Sequence, residues 1–573
     1  MANSRAEIIA DLIRTPQVDV LVIGGGINGI GTYRELALQG VRVRLVERGD
    51  FCGACSSAPS RMIHGGLRYL ENGEFDLVRE SLRERDALLR NVPHMVRPLP
   101  TTVPIRKVFS GLLNGALGFV GGKRKPSERG ALTIKAGLSL YDLFTRRRRA
   151  LPRHSFTGTR ATRQRWPRLN AKMRFTATYH DAWISHPERL GVEMIRDCEE
   201  CDDAAALNYA EVARDPSGAF TIRDKESKQS VSILPKVVIN ATGAWVDETN
   251  AGLMKGDTPP KFVGGTKGSH LILDHPALLA ELGGHMIYFE NIDGRVCIMF
   301  PYLGKVLVGS TDIRVNDLDD VRCEDDEVDY ILNSLAYVFP SVEVRPDQIV
   351  YRYSGVRPLP RSDDSFTGRI SRDHFTRNIG GTPPMLTMVG GKWTTFRAFG
   401  QQSADMTLDL LGHARRLDTL AQPIGGGANF NAKAMLQTLR IDHGVSTSRA
   451  EHLLGHYGST ATRVAEFCSR DQDDRALSCL TEYTTGELRY LIRHEYVRHL
   501  DDLLQRRCSL AITGVLSREM IDTASGILAH ELGWSEAEAQ AEITDFLALL
   551  DRKHGLGIET LTKRDTSGRK KCA

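Results

Sequence analysis

The sequence is poor in cysteine: ten in 573 residues cannot build a disulfide scaffold, so a reducing compartment is expected. Two Cys-x-x-Cys pairs, Cys52 with Cys55 and Cys198 with Cys201, lie far apart and lack a histidine at zinc-finger spacing, so no metal is expected. Net charge is nearly absent too. With 75 Lys+Arg against 71 Asp+Glu the formal charge is +4, and no nucleic-acid partner is expected of the whole chain. Nor is there a long apolar run, because the uncharged stretch 108–122 is 15 residues against the roughly 20 that a spanning helix needs. Residues 1–17 carry Glu7 and Asp11 and no apolar core, so neither a secretory signal nor a transit peptide is read there and the protein is expected to stay where it is made. What is present, 41% hydrophobic and 25% charged residues, is the composition of a soluble globular protein, long enough for roughly three to five domains.

One segment breaks the charge balance. Residues 106–153 hold twelve Lys/Arg, including the run Arg146 to Arg149, and only Glu128 and Asp142 as acids. Apolar Phe109, Leu112, Leu113, Leu117, Phe119 and Val120 stand beside these cations. That mixture suits an element lying in the interface of an anionic membrane. A solvated basic loop over a small buried helix is the equal alternative.

The chain announces its chemistry between Val18 and Glu47. A short apolar run, Val18 to Ile23, is followed by Gly24, Gly26 and Gly29 in GxGxxG spacing, a small-residue helix, and a second apolar strand ending at Glu47. In the dinucleotide fold the glycines let the backbone approach a pyrophosphate, the helix start holds its charge, and the acid takes a ribose hydroxyl. Later, Val237 to Ile239 lead into Ala241, Thr242 and Gly243, a second strand end that could approach the same cofactor. No second GxGxxG occurs, so there is no evident separate site for a nicotinamide coenzyme. A bound flavin would then pass its electrons to a quinone or dioxygen.

Ser56-Ser57 and the stretch Arg61 to Glu71, with His64, Gly65 and Arg68, resemble the signature of FAD-dependent glycerol-3-phosphate dehydrogenases. The resemblance continues through Lys267 to His270, Gly309 to Asp312, Tyr353 to Leu359, Ser371 to Asp373 and Gly390 to Arg397, and resumes in the helical region from Glu487 to Arg507. It covers most of residues 18–510. Cys55 stands where Thr is usual and Arg61 where Lys is usual. The acid-rich calcium loop of mitochondrial relatives is absent, which points to the bacterial type.

The resemblance implies FAD as cofactor and oxidation of sn-glycerol 3-phosphate to dihydroxyacetone phosphate. It further implies electron delivery to membrane quinone from the cytoplasmic face of the bacterial inner membrane. A homodimer stays open. The alternatives are another polyol phosphate such as erythritol phosphate, dioxygen as acceptor and, more remotely, a flavin-dependent RNA-modifying transferase.

Phosphate recognition calls for guanidinium forks with a lysine as point charge, for which Arg357 and Arg372 come first and Arg68 and Lys392 next. The bland alternative pairs Arg357 with Asp363 or Asp364, and Arg372 with Asp373. Removal of the hydroxyl proton needs a base near neutral pKa, and His270, read as a turn residue, is the candidate. His64 is expected to contact the flavin. Gly391, Thr394 and Thr395 are expected at the isoalloxazine end.

The expected architecture is α/β: a Rossmann-like FAD-binding domain with an interleaved antiparallel-sheet substrate domain, plus an all-α C-terminal domain. FAD-binding segments are placed at 17–95, 187–262 and 350–415, substrate-capping segments at 96–186 and 263–349, and the helical domain at 425–560. The boundary is read near Pro423 to Gly427, and the tail around Arg569 to Lys571 is read as disordered.

Overall fold

The computed structural model describes residues 4–67, 74–106, 135, 137–139, 141, 151–254, 259–362, 370–478 and 480–572, the last six by backbone alone. Arg68 and almost all of the basic segment, Arg146 to Arg149 included, lie outside the described residues. Among the described residues no helix is long and apolar enough to cross a membrane.

The run from Val18 to Ile23 forms a strand, Gln17–Ile23, whose last four residues are all buried, as a parallel strand covered on both faces requires. It lies at the centre of a sheet ordered His374–Asn378, Met385–Gly390, Ser230–Asn240, Gln17–Ile23, Val43–Val46 and Ala204–Leu207. All neighbours on this path are parallel except the first pair. The helix Ile27–Leu38 packs one face of this sheet beside the helix Phe396–Leu411.

The second sheet has ten strands and is mostly antiparallel. Thr266–Leu273, buried at all eight positions, pairs on its two sides with Lys305–Gly309 and Ile349–Arg357. Two placements differ from expectation. Ile349–Arg357, assigned to FAD-binding segments starting at 350, is hydrogen-bonded into the substrate sheet from end to end. His270 is in mid-strand rather than in a turn, because Gly268, Ser269 and His270 continue the ladder against Gly355, Ser354 and Tyr353.

The C-terminal region is helical from Ala432 onward apart from one short hairpin, Ala476–Leu477 with Leu480–Thr484. Its core runs without a break into the second sheet, joining Leu488, Leu491 and Leu528 to Phe300, Tyr302 and Tyr351. The connection at 423–427 is docked: Gly425 N–H donates to Asp197 and Gly426 N–H to Glu193. Ile558–Cys572 is a helix, which corrects the expectation of a disordered tail.

Candidate active site

The turn after Gln17–Ile23 is built for a close approach. Gly24 has φ +108°, a conformation L side chains rarely adopt, and a Cβ there would lie 2.7 Å from Ala241 O. A Cβ on Gly29 would fall 2.0 Å from Gly24 O. Gly26 caps Ile27–Leu38 without a side-chain bond, and no acid stands in the first turn, so the positive helix end is left for an external anion. Ser56 Oγ accepts from Ile27 N–H at 2.9 Å. Glu47 closes the second strand, taking Gly25 N–H at 2.6 Å on one oxygen and Gly49 N–H at 2.8 Å on the other. Burial raises its carboxyl pKa.

A second helix start meets the first. Asn28 Nδ2 donates to Gly390 O at 3.2 Å, and the Gly390–Gly391 turn, both residues at positive φ, leads through Trp393–Thr395 into Phe396–Leu411. Thr395 Oγ1 and Asn28 Oδ1 are buried polar atoms with no partner among the described residues. Two buried orphan oxygens, two helix starts whose N-cap residues Gly26 and Thr395 make no side-chain cap bond and a ribose-type carboxylate fit FAD. When bound, it would be held by Gly24, Gly26, Gly29, Glu47, Ser56, Ala241, Thr242 and Gly243 along one side and Gly391, Thr394 and Thr395 at the other end.

Thr242 is braced by Asn240 Oδ1 at 2.7 Å, and Gly243 adopts φ +62°. Ser57 Oγ donates back to Ala54 O. Gly65 donates its N–H to Asp181, and a Cβ on it would lie 2.1 Å from the Tyr141 hydroxyl, so its smallness serves packing.

Beside this cradle is a cavity of about 310 Å³ whose lining includes His64, His270, Arg357, Arg372, Lys392 and Thr394. Arg357, at the end of Ile349–Arg357, and Arg372 both turn to Asp312, at 3.1 and 3.3 Å. This replaces the local pairing with Asp373; Asp363 and Asp364 lie outside the described residues. Two guanidiniums share one carboxylate, and Arg357 is also steadied by Ser310 Oγ and Thr311 O. Both guanidiniums, with Lys392, line the cavity, and cations gathered on a cavity wall suit an anion site.

His270 is 1% exposed. Its Nε2 bonds Ser60 Oγ at 2.8 Å, its ring stacks on Tyr353, and Nδ1 has no partner among the described residues. Burial, with Arg357 and Arg61 adding repulsion, pushes its pKa down to about 3, so the ring is neutral and has a lone pair to offer. His64, whose N–H donates to Thr394 Oγ1, is likewise pushed by burial to about 3. Lys392 donates to Ser81 Oγ at 2.7 Å, and burial lowers it to about 7.

Sequence reasoning quoted Asp312 within a motif without giving it a task, and it passed over Ser60 and Asn28. The signal for Asp312 was an acid following Gly-Ser-Thr; nothing short of the sheet pairing brings it to Arg357.

A family model described as FAD dependent oxidoreductase matches residues 19–397, and one described as the C-terminal domain of alpha-glycerophosphate oxidase matches residues 417–539. The chain is 32% identical over 561 residues to a glycerol-3-phosphate dehydrogenase of Synechocystis, covering 93% of this chain and 96% of that protein. It is 28% identical over 540 residues to the aerobic glycerol-3-phosphate dehydrogenase of Bacillus subtilis, covering 90% and 92%. Against the D-erythritol 1-phosphate dehydrogenase of Brucella abortus the figures are 27% over 496 residues, 85% and 93%. The solved glycerol-3-phosphate dehydrogenase from Bacillus halodurans complexed with FAD superposes with a TM-score of 0.74 at 21% identity, covering 96% of this chain and 98% of that one. That superposition speaks for the fold.

Proposed function

The chain belongs to the FAD-dependent oxidoreductases, in their glycerol-3-phosphate dehydrogenase branch, and we propose that it oxidises sn-glycerol 3-phosphate to dihydroxyacetone phosphate. The observation that carries this reading is the pair Arg357 and Arg372 converging on Asp312 in the cavity that His270 also lines. A phosphate of nearly two negative charges is gripped by these two guanidiniums, with Lys392 as an added point charge. FAD supplies the hydride acceptor. His270 takes the hydroxyl proton on a ring nitrogen. Phosphate beside Arg357 weakens one of the repulsions that keep His270 from protonation, so the substrate raises the basicity of its own base. His64 and Thr394 line the same cavity at the cofactor end.

The electrons go on to a membrane quinone, a reading supported by the absence of a second dinucleotide motif and by the basic, apolar-rich segment 106–153. The test is an anaerobic panel of three- and four-carbon polyol phosphates, scored by loss of the flavin's visible absorbance. Rapid bleaching by sn-glycerol 3-phosphate and slow bleaching by the four-carbon compounds is expected; the reverse order would move the substrate to erythritol phosphate. Reoxidation of the bleached enzyme by quinone in anionic vesicles, faster than by air, checks the acceptor.

A further inference from the structure

The C-terminal domain reaches back to the dinucleotide cradle at one place. Arg506 and Arg507 close a π-helical turn, Asp502–Arg507. Arg507 forks onto Asp50, with Nη1 to Oδ2 and Nη2 to Oδ1 both at 2.7 Å, and Arg506 Nε adds a bond to Oδ2 at 2.5 Å. Asp50 and Arg507 side chains are 0% exposed and Arg506 8%. Arg507 Nε also donates to Glu495 O, and Glu495 takes Arg189 from the FAD-binding half. No step of the oxidation uses these groups.

Asp50 stands three residues after Glu47, and the chain between them is pinned to the cradle. Gly49 N–H donates to Glu47, Cys52 N–H donates to Gly25 O, and Asn208 Nδ2 donates to Asp50 and to Tyr496 O. Phe51 sits edge-on to Tyr496 at 5.5 Å, and a Cβ on Gly25 would meet Phe51 at 2.7 Å. The loop 47–52 thus lies between the GxGxxG turn on one side and Tyr496, Arg506 and Arg507 on the other. Among the described residues Glu47 makes no bond to the C-terminal domain, its backbone being held by Leu207 and Ala210; Asp50 does make such bonds.

We propose that the C-terminal domain is a cofactor-retention element, in which Arg506 and Arg507 act as positioning residues that hold Asp50 and, through the 47–52 loop, set Glu47 for the FAD ribose. A carboxylate buried this completely is stable only while both guanidiniums stay in place, and their fork geometry fixes its orientation as well as its charge. The inference rests on the assignment of Glu47 to the ribose.

The test measures the FAD dissociation constant of the full chain by flavin fluorescence quenching. Arg507→Lys keeps the charge and loses the fork, and is expected to weaken FAD about tenfold. Should that variant fold poorly, the triple replacement Asp50→Leu, Arg506→Leu, Arg507→Met removes the buried ions while filling their volume, and the same weakening is expected. Leu528→Ala, a cavity in the C-terminal core, whose cluster includes neither Phe51 nor Cys52 of the loop, controls for general destabilisation: it should lower the unfolding temperature and leave FAD affinity within twofold. An Arg507→Lys or triple variant with wild-type FAD affinity overturns the proposal, and so does a Leu528→Ala chain that loses FAD equally. Glu47→Ala separates the two layers. Unchanged affinity there defeats the ribose assignment, whereas weakened affinity there with intact affinity in the arginine variants defeats the latch alone.

Discussion

Asp312 and Asp50 are each gripped by a pair of arginines, Arg357 with Arg372 in the first case and Arg506 with Arg507 in the second. At Asp312 each arginine makes one bond, at 3.1 and 3.3 Å, and the three side chains are 15 to 23% exposed in a cavity. At Asp50 the contacts are 2.5 to 2.7 Å, the side chains are 0 to 8% exposed, and Arg506 also takes Asp501 and Asp502. The first pair stays part-exposed on the wall of a cavity. The second is packed among three carboxylates and away from that cavity's lining. The same two residue types therefore make an open pair on a cavity or a buried rivet, depending on whether a second anion can reach them.

The largest expected effect lies on the closed side. Asp50→Asn takes the buried Arg507 away from its carboxylate and leaves Arg506 to Asp501 and Asp502, and should cost the full chain about 3 kcal/mol in denaturant unfolding. Asp312→Asn, in a cavity that water reaches, should cost about 1 kcal/mol or less. Equal losses at the two positions would erase the distinction between them.

Next comes Arg357→Ala. Loss of charge-assisted bonds to a phosphate should lower kcat/KM for sn-glycerol 3-phosphate about 10²- to 10³-fold. The loss should be much smaller for unphosphorylated glycerol, and bound FAD should be unchanged. Equal losses for both substrates would take Arg357 out of the phosphate site.

Proton linkage gives a third, smaller difference. His270 is neutral in the fold, with its pKa pushed down to about 3 from an ordinary 6.5. Between these values the unfolded chain binds a proton that the folded chain refuses, so stability falls as pH drops from 6.5 toward 3. The slope from this residue is about 1.4 kcal/mol per pH unit. His270→Asn should flatten the acid limb of an unfolding-against-pH curve by about that amount. The Asp50 cluster works from the other end: its arginines hold the Asp50 carboxyl far below the usual range. Its contribution is present above the ordinary aspartate value and is lost only below it.

Sequence reading found the open pair and missed the closed one, for a physical reason. Gly24, Gly26, Gly29 and Glu47 are local: one turn and one strand end place them, and two short apolar runs, one before Gly24 and one ending at Glu47, mark both. Arg357 and Arg372 were reached through motif resemblance, but their shared partner Asp312 was not, because antiparallel pairing across Thr266–Leu273 sets that proximity. The same pairing moved Ile349–Arg357 out of the FAD-binding segments and His270 out of a turn. Arg506, Arg507 and Asp50 are more than 450 residues apart in sequence, and nothing in either segment marks them as partners. Local chemistry is legible where one element supplies it; contacts between distant segments are legible only once the sheets and domains are assembled.

The smallest effect is also the one most specific to the open pair. Asp312 takes guanidinium bonds from Arg357 and Arg372 that the proposed phosphate would need, so on that proposal it would compete with the ligand as well as position the ligand's hosts. Asp312→Asn removes the competing charge while keeping an oxygen that accepts from Arg357. KM for sn-glycerol 3-phosphate should then fall a fewfold at low ionic strength, about 0.5 to 1 kcal/mol, and rise more steeply with added salt than in the parent chain. Steady-state kinetics between low and moderate salt measures both. A KM raised by tenfold or more at every salt concentration would mean that Asp312 orients Arg357 and Arg372 more than it opposes the phosphate, and would bring the open pair closer in kind to the closed one.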